Sequence, residues 1–247
     1  MQRQTDERAG IRWNGLRFEG LDAQTAAAWN NKGNLLRREG RDAESLDCYD
    51  QALRLDPGCA KIWANKGACL LYLGSFLQAL TCYDRALSLD EGEAEIWFSK
   101  GIALEALGRI EEALCCYDRA LALDPQDPRA WNNKGSNLFR LGRLGDALRC
   151  YDRALELDPR ADLAWQGKGL TLQEVGRLDE AIGCFRKAVE LVPHDVDAWY
   201  NKAVAEEQLG QTQDAARSFR QFIALAPGGD GQELKYARDR LRELEGK

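Results

Sequence analysis

The sequence predicts an all-α solenoid of six helix-turn-helix units, closed by a C-terminal capping helix. Two observations predict it. Trp29, Trp63, Trp97, Trp131, Trp165 and Trp199 stand 34 residues apart, and a fixed period of that length marks a stacked repeat. Each Trp also opens a near-copy of one phrase: WNNKGNLL, WANKGACL, WFSKGIAL, WNNKGSNL, WQGKGLTL and WYNKAVAE. A second phrase follows each, from DCYDQALRLDP in the first unit to RSFRQFIALAP in the last. One such hairpin cannot bury its apolar face alone, so neighbours must stack to bury it together.

Within a unit, Trp, Gly and an aliphatic recur at i, i+4 and i+7, as in Trp63, Gly67 and Leu70; this places them on one face of a first helix. A glycine then breaks that helix, at Gly40, Gly74, Gly108, Gly142, Gly176 and Gly210. The second helix carries a small residue, an aromatic and an alanine on one face, as in Ala79, Tyr83 and Ala86, and ends near Asp-Pro, where proline blocks continuation. The units are expected at residues 26–59, 60–93, 94–127, 128–161, 162–195 and 196–229. A polar segment, residues 1–25, precedes them, and residues 230–247 follow as a solvating helix with Leu234, Ala237, Leu241 and Leu244 on one stripe. The head contains Ile11, Trp13, Leu16, Phe18 and Leu21, and is expected to cap the first unit or to lie in its groove as a self-ligand.

Composition narrows the function. The formal net charge is −6, which argues against nucleic acid, whose binders use basic patches to displace counterions. There is no run of about 18 apolar residues to span a membrane. Met1 to Gly10 lack the apolar core of a signal peptide, so the expected compartment is the cytoplasm. Of eight cysteines, Cys48, Cys82, Cys116, Cys150 and Cys184 recur every 34 residues. Packed helices lie about 8–10 Å apart, too far for equivalent cysteines to bridge, so the thiols are expected to be small, buried and reduced. No phosphate-cradling glycine loop, nucleophile motif or metal-ligand spacing occurs, so neither catalysis nor a cofactor, metal or small-molecule substrate is expected. His194 falls in an inter-repeat turn, and the register of Tyr83-Asp84, Tyr117-Asp118 and Tyr151-Asp152 points to structure.

The residues resemble the tetratricopeptide repeat (TPR) family, whose pattern is Trp, Leu-Gly, Tyr, Ala, Phe/Tyr, Ala and Pro at fixed places. In the second unit those places hold Trp63, Lys66-Gly67, Leu70, Ala79, Tyr83, Ala86 and Glu91. The match covers about four-fifths of the chain. It departs from the pattern in two ways: Glu91 replaces the proline, and a lysine (Lys32, Lys66, Lys100, Lys134, Lys168, Lys202) replaces the leucine before the glycine in every unit. At about 100° per residue these lysines fall at the edge of the packed face. They are expected to bury their stems and send their ammonium groups to water or a nearby carboxylate.

The resemblance implies a right-handed superhelix whose concave wall is made by the first helices, with binding positions two before the Trp and one, two, five, eight and nine after it. Asparagine stands two after the Trp at Asn31, Asn65, Asn133 and Asn201, with Ser99 and Gly167 elsewhere; an amide row can pair with an extended peptide backbone. Similar asparagine rows line the TPR superhelix of O-linked N-acetylglucosamine transferase. Leu71, Tyr72, Phe98 and Ile102 supply apolar surface in the earlier units, and Phe139, Leu170 and Tyr200 in the later ones, beside Arg129, Asn132 and Gln166. Asn30, Asn34, Arg37, Arg38 and Lys61 make the first end polar and basic, while Glu174, Asp197 and Glu207 make the last end acidic. Some members hold a C-terminal carboxylate with a Lys/Asn/Asn/Lys/Arg clamp. Here neither Asn30, Asn34, Asn65, Glu95 and Ser99 nor Ala64, Ala68, Ser99, Arg129 and Asn133 supply its cations.

The expected function is a non-enzymatic adaptor or scaffold that binds an extended or helical segment of a protein partner, with no membrane and no nucleic acid partner. The alternative is a dedicated assembly co-chaperone for one enzyme or secretion complex, which uses the same groove. A helical-repeat RNA binder like the pentatricopeptide proteins would be basic and would lack this template.

Overall fold

The computed structural model describes residues 25–226 and 231–246, and all their regular structure is helical. The head, expected to cap or self-dock, lies outside the described residues. The chain divides into two compact units, Met1–Glu91 and Gly92–Lys247. The first holds α1 (Ala26–Arg38), α2 (Asp42–Leu55), α3 (Ala60–Tyr72) and α4 (Phe76–Leu89). The second holds α5 (Ala94–Ala106), α6 (Ile110–Leu123), α7 (Pro128–Arg140), α8 (Leu144–Leu157), α9 (Asp162–Glu174) and α10 (Leu178–Leu191). It continues with α11 (Val196–Gln208), α12 (Thr212–Leu225) and α13 (Gln232–Leu244). Helices pair as hairpins, α1 with α2 through α11 with α12.

The turn glycines adopt φ between 72° and 80°, a left-handed conformation that costs other residues a Cβ clash. The helix ends are closed by the backbone itself. Arg143 N–H donates to Leu138 O at 2.9 Å and Gly142 N–H to Phe139 O at 2.8 Å, the paired bonds of a Schellman motif. Arg41 and Leu36, and Arg177 and Leu172, repeat the longer bond at 2.9 Å.

Each hairpin closes on an aromatic ring set against a glycine. Tyr49, Tyr83, Tyr117 and Tyr151 are buried, and a Cβ on Gly33, Gly67, Gly101 or Gly135 would come within 2.6–3.0 Å of a ring carbon. The glycine of the repeated phrase is therefore a space requirement: it lets two helices approach across a flat ring. Phe185 against Gly169 repeats the contact, while Ala203 stands opposite Phe219 in the last hairpin. The tryptophans tie successive hairpins. Trp63, Trp131, Trp165 and Trp199 each donate Nε1–H, at 3.0 Å, to the carbonyl of the proline six residues earlier.

The recurrent lysines settle on the packed edge, as expected. Lys66 meets Asp50 at 2.5 Å, Lys134 meets Asp118 at 2.6 Å and Lys168 meets Asp152 at 2.6 Å. The ammonium groups of Lys134 and Lys168 also lie over tryptophan rings, 5.4 Å from Trp131 and 5.8 Å from Trp165. The partner is the aspartate of the Tyr-Asp pair sixteen residues earlier, so one contact explains both recurrences. For the lysine of the last hairpin, Lys202, the position sixteen residues earlier on α10 holds Arg186 in place of that aspartate. Lys202 turns instead to Glu206 at 2.6 Å and Ser218 Oγ at 2.8 Å.

Of the thiols, Cys48, Cys69, Cys82, Cys116, Cys150 and Cys184 are buried, but Cys59 is only half-buried and Cys115 is exposed. Cys115 departs from the expectation because it precedes Cys116 by one position, which turns it about 100° off the packed face of α6. The solvating helix forms as expected: Leu234 and Ala237 of α13 are buried with Phe219 and Phe222 of α12, and Leu241 and Leu244 pack beside them. Among the described residues no helix is long and apolar enough to cross a membrane.

A candidate peptide-binding wall on the first helices

In the first unit the wall is made by α1 and α3. Asn31, Arg37, Arg38 and Lys61 are exposed, Leu71 is half-buried, and Tyr72 is 78% exposed. Asn30 is buried, and its Oδ1 accepts from Asn65 Nδ2 at 2.8 Å. Asn34 Oδ1 accepts from the Tyr49 hydroxyl at 2.7 Å. Part of the amide row thus pairs within the chain: Asn65 spends one N–H on the neighbouring first helix, while Asn31 stays open.

In the second unit the wall is made by α5, α7, α9 and α11. Ile102, Asn132, Asn133, Phe139, Leu170, Tyr200 and Asn201 are half-buried and Arg129 is exposed. Asn132 Nδ2 donates to Asn133 Oδ1 at 3.2 Å. Phe98 is not an open groove residue: it is 6% exposed, with its ring centroid 5.9 Å from that of Tyr117. The Arg129 guanidinium lies 4.7 Å over the Phe98 ring and bonds Glu95 at 2.7 Å and Asp127 at 2.9 Å. Gln166 is likewise buried, donating to Asp195 Oδ2 at 2.8 Å. Asn30, Phe98 and Gln166 share the position one after the Trp. Ala64, Asn132 and Tyr200 stay half-buried at the same position, whereas Asn65, Arg129 and Asp195 of the next hairpin cover the buried three, an effect a single-helix wheel does not include.

A polar network missing from the predicted site sits on this wall. Glu105 Oε2 accepts from the Tyr117 hydroxyl at 2.9 Å and from Asn137 Nδ2 at 2.8 Å, and Arg140 lies 3.6 Å from Glu105 Oε1. Burial, reinforced by the Glu105 charge, holds the Tyr117 phenol well above its ordinary range. Glu105 and Arg140 occupy binding positions eight and nine after their tryptophans and were legible there. Asn137 was not, because it lies six after its Trp. The acidic end also differs from expectation. Glu207 is already held by Arg240 and by the Tyr236 hydroxyl of α13, the latter at 2.7 Å, whereas Glu174 and Asp197 are exposed. Tyr200 packs against Phe222 at 5.1 Å and Tyr236 at 6.4 Å. The solvating helix thereby takes up part of the last first-helix surface.

The repeated glycine–ring hairpins, Schellman turns and indole–proline ties meet a direct match in sequence. Models of the tetratricopeptide repeat match residues 26–59, 69–128, 100–164, 150–183 and 167–230. The chain belongs to the tetratricopeptide repeat family. It is an all-α TPR solenoid, and the repeats mark it as a protein-interaction module. No curated protein matches the chain. Among solved structures, it is similar to YrrB, described as a TPR protein with an unusual peptide-binding site. That match has 25% identity and a TM-score of 0.64, covering 77% of this chain and 97% of that one. PilW, a type IV pilus biogenesis factor, matches at 24% identity and a TM-score of 0.76, over 86% of this chain and 98% of that one. MamA from Desulfovibrio magneticus RS-1 matches at 24% identity and a TM-score of 0.64, over 70% and 97%.

Proposed function

We propose that the chain is a non-enzymatic adaptor whose first helices hold a peptide segment of a protein partner. The observation that carries this reading is the set of half-buried apolar side chains Ile102, Phe139 and Leu170 on the first helices of the second unit. Phe139 and Leu170 pack in part against the hairpin cores and keep the rest of their surface at the wall, where apolar area marks an interaction surface. Asn133 and Asn201 on the same helices add amides able to donate and accept along a peptide backbone. The peptide-binding site named for YrrB supports the same use of the fold. A dedicated assembly co-chaperone would use the same wall for one client.

The test is capture from lysate of the source organism by the full chain and by an Asn133→Ala/Phe139→Ala/Leu170→Ala variant of unchanged circular dichroism. The partner common to replicate captures is then titrated against both. The expected result is a partner bound at least about tenfold more weakly by the variant, as for loss of buried anchors. Equal affinity would remove the wall of the second unit from the binding site.

A further inference from the structure

We propose that the wall of the first unit takes an acidic peptide segment, with carboxylates on Arg37, Arg38 and Lys61 and a large apolar side chain on Tyr72. The proposal rests on the groove reading above and adds the class of ligand. Helices α1 and α3 contain Lys32, Arg37, Arg38, Lys61 and Lys66 and no carboxylate, although the whole chain is net acidic. In the second unit α5, α9 and α11 carry carboxylates of their own, and α7, which has none, has its cations met by Glu95 and Asp127 at Arg129, Asp118 at Lys134 and Glu105 near Arg140. Lys66 is spent on Asp50. Arg37, Arg38 and Lys61 are exposed and have no carboxylate partner among the described residues. That sets them apart from Arg41, Arg109, Arg129, Arg143 and Arg177, each of which is paired.

The geometry places these cations usefully. The bond from Asn65 to Asn30 fixes the register of the two first helices. Tyr72 comes seven residues after Asn65 and Arg37 seven after Asn30, so the ring and the guanidinium stand level at one end of the wall. Lys61 lies eleven residues before Tyr72, about 16 Å along the axis at about 1.5 Å per residue. An extended peptide covers that distance in about five residues. A segment with acidic groups that far apart would meet cations at both ends, pass Asn31 between them, and lay one apolar side chain on the exposed Tyr72 ring. Charge complementarity of this kind selects partner and orientation. Three exposed cations on a chain of net charge −6 are a weak footprint for nucleic acid by comparison.

The test selects a displayed library of random dodecapeptides on the full chain, on Arg37→Ala/Arg38→Ala/Lys61→Ala and on Arg186→Ala/Lys187→Ala, which removes two exposed cations of the second helix α10, with oligothymidylate as a counter-probe. Selected peptides should be enriched in Asp and Glu around one aromatic or large aliphatic residue. They should lose at least about tenfold in affinity on the triple variant and keep it on the double variant. Glutamine versions of the same peptides should bind as weakly as the triple variant binds the originals. Neutral or basic consensus peptides, or acidic ones bound equally by the triple variant, overturn this inference and leave the groove reading standing. Oligothymidylate binding that the triple variant abolishes overturns it in favour of nucleic acid. No enrichment on any of the chains overturns both readings.

Discussion

At the scale of single residues, burial sets the chemistry of the groups the repeat reuses. Tyr49, Tyr117 and Tyr151 lie inside their hairpins, and desolvation raises each phenol above its ordinary value. The folded chain therefore holds them neutral at a pH where the unfolded chain would ionise them. That contribution is fully present below the unfolded pKa of about 10 and is lost as pH rises from there through the raised native values. The urea midpoint is thus expected to fall above about pH 10, with tyrosinate absorbance appearing together with unfolding. Ionisation of these phenols at about pH 10 with the helical signal intact would contradict their burial. The thiols follow the same logic. Cys48, Cys82 and Cys150 are raised by burial, and Cys184 is pushed up to about 11, so they are poor nucleophiles. An aromatic disulfide reagent at neutral pH should modify exposed Cys115 in a fast phase and Cys59 more slowly, reaching the rest only on unfolding. Cys115→Ser should delete the fast phase, and its survival in that variant would place the reactive thiol elsewhere.

At the scale of helices, the value of a recurring contact depends on its exposure. The Lys134–Asp118 side chains are 23% and 58% exposed, so the pair is worth about 0–1 kcal/mol and Lys134→Met should cost no more than that. The equivalent lysine of the last hairpin is different. Lys202 and Glu206 are 13% and 3% exposed, and the Ser218 hydroxyl donates to Glu206 at 2.6 Å. Glu206 stands where the other repeats have Leu36, Leu70, Leu104, Leu138 and Leu172. Lys202→Met would leave a buried carboxylate without its cation and should destabilise by about 3–5 kcal/mol. Lys202→Met/Glu206→Leu restores the apolar pattern and should recover most of that loss in urea titrations; failure to recover would mean the ammonium is needed for more than balancing Glu206. The contrast also shows what the sequence made legible. Helix order, turn glycines and the lysine edge followed from period and wheel angle, because those depend on one helix at a time. The burial of Asn30, Phe98 and Gln166 did not, because it depends on the neighbouring hairpin. The Lys–Asp pair was visible as two separate recurrences and needed the structure to be joined.

At the scale of the whole molecule, a stacked array is held by contacts between neighbours, so its ends carry a burden that interior repeats do not. The last hairpin would present Phe219 and Phe222 to water if α13 did not cover them, and α13 does so with Leu234 and Ala237, 5% and 0% exposed. Arg240 and Tyr236 on the same helix hold Glu207, and Arg220 bonds Glu245 at 2.5 Å, so apolar and polar contacts fasten the cap together. Burying one leucine is worth about 1.5–3 kcal/mol, and an aspartate in its place adds an unpaired buried charge. Leu234→Asp is therefore expected to release α13 without reaching the distant hairpins. Amide exchange should accelerate in α11, α12 and α13 and stay slow in α5 to α8, and light scattering should show concentration-dependent association through the uncovered phenylalanines. If the substitution instead raised exchange equally through α5 to α12, the second unit would be one cooperative block, and the nearest-neighbour account of its stability would be wrong.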